Sequence, residues 1–373
     1  MSNYLLSTNR FLIISLLSAA SLWFFGCSSL KKSIRDLDHN PVFKDSFTGF
    51  VLYDPENKQV LFDHHGSKYF TPASNTKLYT FYVANRILGD SIPAFAYRAA
   101  ADSVWLWGTG DPSFLNPDLP ESSVQRFLKE KFIYLVRSKI DEPIYGSGWA
   151  WDDYSGSYQR EKNPFPIYGN AVHISWDSVS NESVIRPEYF RDSVMFQAAK
   201  TERVMNRNLF YVDQEWDQSD TLAFPIKTSP AVVAKLWSDT LSSMVQWVDY
   251  MPPDETATMY SISADSAYKQ MLQISDNFVA EQLILLCSWK LLGELNSAKL
   301  IEIASDSLLG DLPQPPIWID GSGLSRYNLF TPHSTVKLLE KINQEVSEER
   351  IFDLFPAGGR SVSYTHLRAH ETY

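Results

Sequence analysis

The stretch Thr71-Pro72-Ala73-Ser74-Asn75-Thr76-Lys77-Leu78 decides how this chain is read. Pro72 breaks whatever runs before it. Leu78 to Leu88 is almost wholly apolar or aromatic, the pattern of a buried helix of about three to four turns. Ser74 and Lys77 then fall in its first turn, where residues three apart are neighbours with Cβ atoms about 5–6 Å apart. A serine hydroxyl becomes a nucleophile when an adjacent base takes its proton. A lysine serves as that base once burial or neighbouring positive charge lowers its pKa. The start of a buried helix supplies the burial, and its unpaired N–H groups favour negative charge developing on a substrate. Ser-x-x-Lys alone is a weak signal that fits an N-cap serine beside a surface lysine better, so the case for a nucleophile must come from the rest of the chain.

The chain has 373 residues, 44% hydrophobic and 21% charged, enough for two or three domains with ample core. Its formal net charge of −11, from 33 basic and 44 acidic residues, argues against a nucleic-acid partner. Residues 1–27 stand apart. Arg10 precedes the uncharged run Phe11 to Phe25, and Gly26-Cys27-Ser28-Ser29 and Lys31-Lys32 follow. The apolar run is shorter than the ~20 residues of a spanning helix and reads as a signal peptide. The small residue before Cys27 resembles a bacterial lipoprotein cleavage site, which makes Cys27 the lipidated N-terminus of an exported, periplasmic, membrane-anchored protein. Phe24 stands where Leu is commoner, so an uncleaved membrane anchor stays open as the alternative. Cys287 lies in an apolar run and reads as core. No His-Glu-x-x-His or Cys-x-x-Cys spacing occurs, so neither a metal nor a cofactor is expected.

Residues 28–45 read as a polar tether. Gly49 to Tyr53 and Gln59 to Phe62 flank turn residues and form a β-hairpin that leads into the Ser74 helix. From about Ile92 short strand-like runs alternate with Gly, Pro, Asp and Asn, and helix patterning is weak apart from Val124 to Ser138. Helical patterning returns over Pro230–Leu241, Ala264–Ile274 and Asn277–Leu292. The expected division is therefore one domain over 46–95 and 229–359, interrupted by a β-rich insertion over 96–228. Between the last two helical runs lies Ser275-Asp276-Asn277. Ser275 or Asp276 can cap the following helix. Alternatively Ser275 and Asn277 both face a cleft, the serine relaying a proton to a leaving group and the amide holding a carbonyl. Asp320-Gly321-Ser322-Gly323-Leu324-Ser325-Arg326-Tyr327-Asn328 is too rich in turn formers for helix or strand and reads as a loop. It is not a Gly-x-Ser-x-Gly elbow, so Ser322 is not taken as a nucleophile.

Together these stretches resemble the penicillin-binding D-alanyl-D-alanine carboxypeptidases of the large, insertion-bearing type, the S13 serine peptidases. Pro72-Ala73-Ser74-Asn75-Thr76-Lys77 resembles the family's first motif, and Ser275-Asp276-Asn277 its second. Gly110-Asp111-Pro112, Gly148-Trp149-Ala150-Trp151-Asp152-Asp153 and Asp320 to Arg326 resemble further signatures that β-lactamases lack. The long gap between Ser74 and Ser275 fits a family with domains inserted there, and the resemblance runs over about 43–359. It implies an α+β fold: a penicillin-binding-protein/β-lactamase-like transpeptidase domain, an antiparallel sheet with helices on both faces, interrupted by the β-rich insertion. It implies that Ser74 is acylated, that Lys77 is its base, and that Ser275 and Asn277 complete the cleft. Asp153 matches the aspartate that binds the free amino group of the stem peptide's diamino acid, with Tyr158 beside it and Arg326 in the same pocket. The plainer readings are a turn residue for Asp153 and a surface ion pair for Arg326. The implied partners are peptidoglycan stem peptides, β-lactam antibiotics as covalent inhibitors, and the membrane through the N-terminus.

The sequence departs from the family at its end. The third motif, Lys-Thr-Gly, which holds the substrate carboxylate and contributes to the oxyanion hole, is not found after Leu354 to Gly359. Residues 360–373 read as a foreign tail on a truncated frame, and such a chain is expected to be impaired. Two other functions compete with an acyl-enzyme D,D-peptidase: a lipoprotein that binds peptidoglycan or penicillin without turnover, and a serine β-lactamase. The Glu-x-x-x-Asn that class A enzymes need occurs only at Glu202 to Asn206, before Ser275, which is the wrong order.

Overall fold

The computed structural model describes residue 41 and residues 46–357, apart from 121, 122, 139, 141, 199 and 253. The expected signal peptide with Cys27, nearly all of the 28–45 tether, the 360–373 tail and any third motif beyond Ala357 lie outside the described residues. Among the described residues no helix is long and apolar enough to cross a membrane.

In chain order, β1 (Phe50–Asp54) and β2 (Gln59–His64) form an antiparallel hairpin. The Asp54 carboxylate closes its turn by accepting from the amides of Glu56 and Asn57. Helix α1 (Thr76–Ile87) follows, then β3 (Ser91–Ala100), β4 (Ser103–Gly108), α2 (Ser123–Leu128) and β5 (Phe132–Val136). Next come β6 (Ala171–Asp177), β7 (Glu182–Arg186), β8 (Val194–Ala198), β9 (Glu202–Arg203), β10 (Phe210–Asp213) and β11 (Leu222–Pro225). The last part holds α3 (Pro230–Leu241), β12 (Val245–Val248), β13 (Ala257–Ser263), α4 (Ala264–Gln273), α5 (Asn277–Leu292), α6 (Ser297–Ser307), α7 (Pro332–Glu345) and α8 (Glu348–Leu354). The α+β class is as expected. Among the described residues the antiparallel sheet of the helical half has the two strands β1 and β2.

Two large cores organise these elements, with a small third cluster of Ala96, Trp107 and Val136 on the strands β3, β4 and β5. In one, Tyr79, Phe81 and Val83 of α1 pack with Tyr268 and Met271 of α4, Leu283 and Ile284 of α5, Leu300 of α6 and Leu338 of α7. Helix α5 is at its centre. Residues 278–288 are all buried, which is why its apolar residues run round every face instead of forming a stripe. Each fully buried Leu, Ile or Phe there contributes about 1.5–3 kcal/mol. The other core lies over a mixed sheet of order β12-β5-β4-β3-β13, in which β12, β5 and β4 run parallel while β3 is antiparallel to β4 and β13. Phe95, Leu106, Ile133 and Leu135 of this sheet pack with Ile174, Phe210 and Phe224 from the two small sheets, β11-β6-β7 and β8-β10-β9.

Two expectations differ from this arrangement. Val124 to Ser138 is not one helix: α2 ends at Leu128, and Phe132-Ile133-Tyr134-Leu135-Val136 is strand β5, paired on both edges. Its β-branched and aromatic residues suit a buried strand, and pairing prevails over the helical periodicity. Elements after residue 228 also pack with the inserted unit. Val233, Leu236 and Trp237 of α3 belong to the second core, and β12 and β13 are the two edges of its sheet. We therefore propose that the insertion runs from about 91 to 263.

The insertion docks on α5 through Gln282, which is fully buried. Its amide donates to Gly110 O at 2.6 Å and Asn163 O at 2.9 Å and accepts from Asn163 N at 3.2 Å. Gly110 has φ +93°, and a Cβ there would lie 3.2 Å from that amide, so the turn needs glycine.

Candidate active site

Ser74 lies in a single 3₁₀ turn, Ala73–Asn75, that runs straight into α1, and Lys77 is in the first turn of α1 itself. Ser74 is exposed, whereas Lys77 is 2% exposed. The Lys77 ammonium donates to Ser74 Oγ at 3.1 Å, Asn277 Oδ1 at 2.6 Å and the Ser322 carbonyl at 2.9 Å. Burial lowers its pKa to about 8, against the opposing pull of the carboxylates of Glu281, Asp276 and Asp320. A substantial fraction of Lys77 is therefore neutral near pH 8, with a lone pair beside the Ser74 hydroxyl.

In the Ser275-Asp276-Asn277 connection the cap and the contacts with Ser74 and Lys77 fall to different residues. Asp276 is the N-cap of α5, accepting from Val279 N at 3.0 Å. Ser275, held at φ +61°, donates from its hydroxyl to Ser74 Oγ at 3.0 Å. Asn277 receives Lys77 on its carbonyl, and its Nδ2 donates to the Tyr158 carbonyl at 3.2 Å. In this structure the Asn277 amide thus ties the insertion to the cluster of Ser74 and Lys77.

The Asp320–Asn328 loop is no ordinary surface loop. Asp320, Ser322, Ser325 and Asn328 are all at most 2% exposed. The Asp320 carboxylate accepts from Gly323 N at 2.8 Å, Ser325 N at 2.6 Å, Asn328 Nδ2 at 2.7 Å and Trp149 Nε1 at 2.8 Å. Gly323, at φ +89°, presses so closely on the Ser74 turn that a Cβ would sit 1.9 Å from Ala73 O. The loop so folded delivers the Ser322 carbonyl to Lys77.

Beneath it lies Glu281, which is 1% exposed and one helical turn after Asn277. Its Oε1 accepts from Ser322 N at 2.8 Å, so the Ser322 peptide is gripped by Glu281 on its N–H side and by Lys77 on its carbonyl. Burial and the negative charge of Asp320 push the Glu281 carboxyl up to about 7. Sequence reasoning missed Glu281 and Gln282. The available signal was two adjacent polar residues interrupting the apolar run from Phe278 to Leu286.

Asp153 and Tyr158 come together at the cleft edge. Asp153 sits in the 3₁₀ turn Trp151–Ser155, and burial and a hydrogen bond to Asp153 raise the pKa of the Tyr158 phenol. Arg326 has an exposed side chain, and its backbone N–H donates to Gly148 O at 3.4 Å, which joins its loop to the loop of Trp149. Glu202 lies in β9 and pairs with Lys200 at 2.5 Å. Cys287 is a buried core thiol. Among the described residues no group of acids, histidines or cysteines is arranged to hold a metal ion.

A family model describing the D-Ala-D-Ala carboxypeptidase 3 (S13) family matches residues 30–218 and 251–370. The chain belongs to that family. The S13 match extends beyond residue 359, where the resemblance was expected to stop, and crosses most of the 360–373 stretch that was read as foreign. The D-alanyl-D-alanine carboxypeptidase DacB of Haemophilus influenzae is 22% identical over 362 residues, covering 84% of this chain and 74% of that one. The penicillin-sensitive carboxypeptidase A of Dictyostelium discoideum is 25% identical over 151 residues, 33% of this chain and 29% of its own. Among solved structures, penicillin-binding protein 4 (dacB) of Haemophilus influenzae superposes with a TM-score of 0.63 at 20% identity, over 84% of this chain and 79% of that chain. The same protein complexed with a novel β-lactam gives 0.58, over 88% and 81%. These likenesses establish the S13 penicillin-binding fold.

Proposed function

We propose that the protein is a serine D-alanyl-D-alanine carboxypeptidase, penicillin-binding, that trims peptidoglycan stem peptides through an acyl-serine intermediate. The observation that carries the assignment of roles is the buried Lys77 amine 3.1 Å from the exposed Ser74 hydroxyl. Neutral Lys77 takes the Ser74 proton as Oγ attacks the carbonyl of the penultimate D-alanine. The proton passes through the Ser275 hydroxyl to the nitrogen of the departing D-alanine, the C–N bond breaks, and the acyl group stays on Ser74. Water then attacks the ester with Lys77 again receiving a proton, and Ser74 is released. Asn277 and the Ser322 carbonyl fix the lysine. A β-lactam offers a strained amide to the same serine and acylates it.

Asp153, with Tyr158 and Arg326, is proposed to receive the free amine of the stem's diamino acid. The proposed location is the periplasm, after export, with the protein held at the membrane through a lipid on Cys27. The assay is release of D-alanine from a stem pentapeptide, with Ser74→Ala as control. Release that Ser74→Ala abolishes supports the reading. A chain that binds the peptide without releasing D-alanine is the non-catalytic binder instead.

Asp153→Ala is expected to slow hydrolysis of stem peptides bearing a free side-chain amine about tenfold to a hundredfold in kcat/KM, the worth of a charge-assisted contact of about 1.5–3 kcal/mol. Small D-Ala-D-Ala analogues without the amine should lose little. Equal losses on both would show that Asp153 only shapes its turn.

A further inference from the structure

The turn that carries Asp153 has a second face. Behind it lies a cavity of about 250 Å³, walled by Tyr145, Trp149, Trp151 and Tyr154 and closed by Gln159 and Arg203. Pockets for drug-sized ligands run about 300–1,000 Å³, so this one suits a single ring. Trp151 is 74% exposed, a large apolar surface that folding leaves uncovered.

The polar groups of the cavity are as distinctive as its rings. Gln159 is 2% exposed, its Nε2 donates to Ala150 O at 3.1 Å, and its Oε1 has no hydrogen-bond partner among the described residues. Arg203 is 1% exposed and is held by carbonyls, with Nη2 donating to Tyr154 O at 2.8 Å. Its guanidinium lies 5.3 Å from the centre of the Tyr154 ring. Among the described residues no carboxylate forms an ion pair with it. Gln159 Oε1 and the Arg203 Nε–H, which also lacks a hydrogen-bond partner among the described residues, would stay unsatisfied under a purely apolar ligand. A ligand with flat C–H faces and both hydroxyl and acetamido groups satisfies the whole wall.

Continuous contacts join this cavity to the catalytic cluster. Lys77 binds Asn277, whose Nδ2 binds Tyr158 O, and the Tyr158 phenol meets Asp153, next in sequence to Tyr154. By a second route, Trp149 contributes its ring to the cavity and its N–H to Asp320 of the loop that contacts Lys77. A stem peptide is joined to its sugar at the end opposite D-Ala-D-Ala. With the reacting carbonyl at Ser74 and the diamino acid at Asp153, the residues left before the sugar span on the order of 7–10 Å.

We propose that the Tyr145–Trp149–Trp151–Tyr154 cavity is a saccharide subsite that receives an N-acetylated pyranose of the glycan strand bearing the stem peptide. The inference rests on the reading of Ser74 and Asp153 given above. It makes the enzyme selective for peptides still attached to glycan.

The test compares a free stem pentapeptide with the same pentapeptide carrying its N-acetylglucosaminyl-N-acetylmuramyl disaccharide. The unsubstituted protein should favour the sugar-bearing substrate by about tenfold or more in kcat/KM. Trp151→Ala should collapse that ratio toward one, and Trp151→Phe should restore most of it. In a second arm, di-N-acetylchitobiose is titrated against the Ser74→Ala protein by tryptophan fluorescence. Saturable binding that Trp151→Ala removes supports the subsite without any turnover. No preference for the sugar, or a preference and a fluorescence change that survive Trp151→Ala, would overturn it. Loss of D-alanine release from both substrates with chitobiose binding intact would count against the Ser74 reading and leave the subsite standing. A Trp151→Ala variant that slows both substrates equally and still binds chitobiose would identify the aromatic face as a peptide contact instead.

Discussion

Lys77→Ala is expected to slow covalent labelling of Ser74 by fluorescent penicillin by about 10²–10⁴-fold, the usual contribution of a positioned general base. The side chain is almost wholly buried, and Ser74, Asn277 and Ser322 all converge on its one nitrogen. Among the described residues the other group hydrogen-bonded to the Ser74 hydroxyl is the Ser275 hydroxyl at 3.0 Å, which is not a base at neutral pH. The pH dependence is a second signature. Only the neutral amine accepts a proton, so labelling should rise with pH through about 8, the lowered pKa of Lys77. Glu281 supports the protonated form of Lys77, so Glu281→Gln should move that rise to lower pH while its amide oxygen still accepts from Ser322 N. Gln carries no charge, so a pH profile unmoved by the change would mean that Glu281 only holds the loop. A Lys77→Ala protein that labels within tenfold of the parent would remove Lys77 as the base.

The parts of this site that could be read in the sequence are those where one residue type has one physical reason to stand where it does. Pro72 ends a segment, an apolar run needs a helix, and Ser74 and Lys77 fall at its start. Ser275-Asp276-Asn277 sits between two helical runs, and there the two readings proved compatible, because the N-cap is the middle residue and its neighbours are left to face the cluster. What could not be read depends on contacts between distant segments. Whether Asp320–Asn328 is a solvated loop or a buried one turns on Trp149 and Ala73, far away in sequence. The later end proposed for the insertion rests on such a contact, because Pro230–Leu241 looks like any amphipathic helix and only its packing against Phe114 and Phe165 shows which core it serves. Phe132 to Val136 is too short for periodicity to separate strand from helix, and two parallel neighbours decide it.

Lys162→Met is expected to destabilise the folded protein by about 3–5 kcal/mol, the cost of leaving one member of a buried ion pair alone. Lys162 and Glu142 are hydrogen-bonded, and both side chains are 4% exposed. Glu142 also accepts from Ser297 N at 2.8 Å, which anchors the start of α6, and the Lys162 backbone N–H donates to Ile144 O at 3.4 Å. The pair therefore pins the segment from Tyr158 to Phe165 against the helical half, the same segment that presents Tyr158 O to Asn277 and Asn163 to Gln282. Against a total stability of about 5–15 kcal/mol for a typical domain, the loss is large. It should show as a lower urea midpoint for the transition that reports on α5. Adding Glu142→Gln should recover most of it, because a neutral amide still accepts from Ser297 N while no charge is left stranded. Metal or substrate need not be present, so the measurement separates a structural staple from a catalytic charge. A single variant costing under about 1 kcal/mol would place the pair among exposed salt bridges in its energetics. A double variant no more stable than the single would show that the lysine's packing over Trp149, 5.9 Å from its ring centre, matters more than its charge.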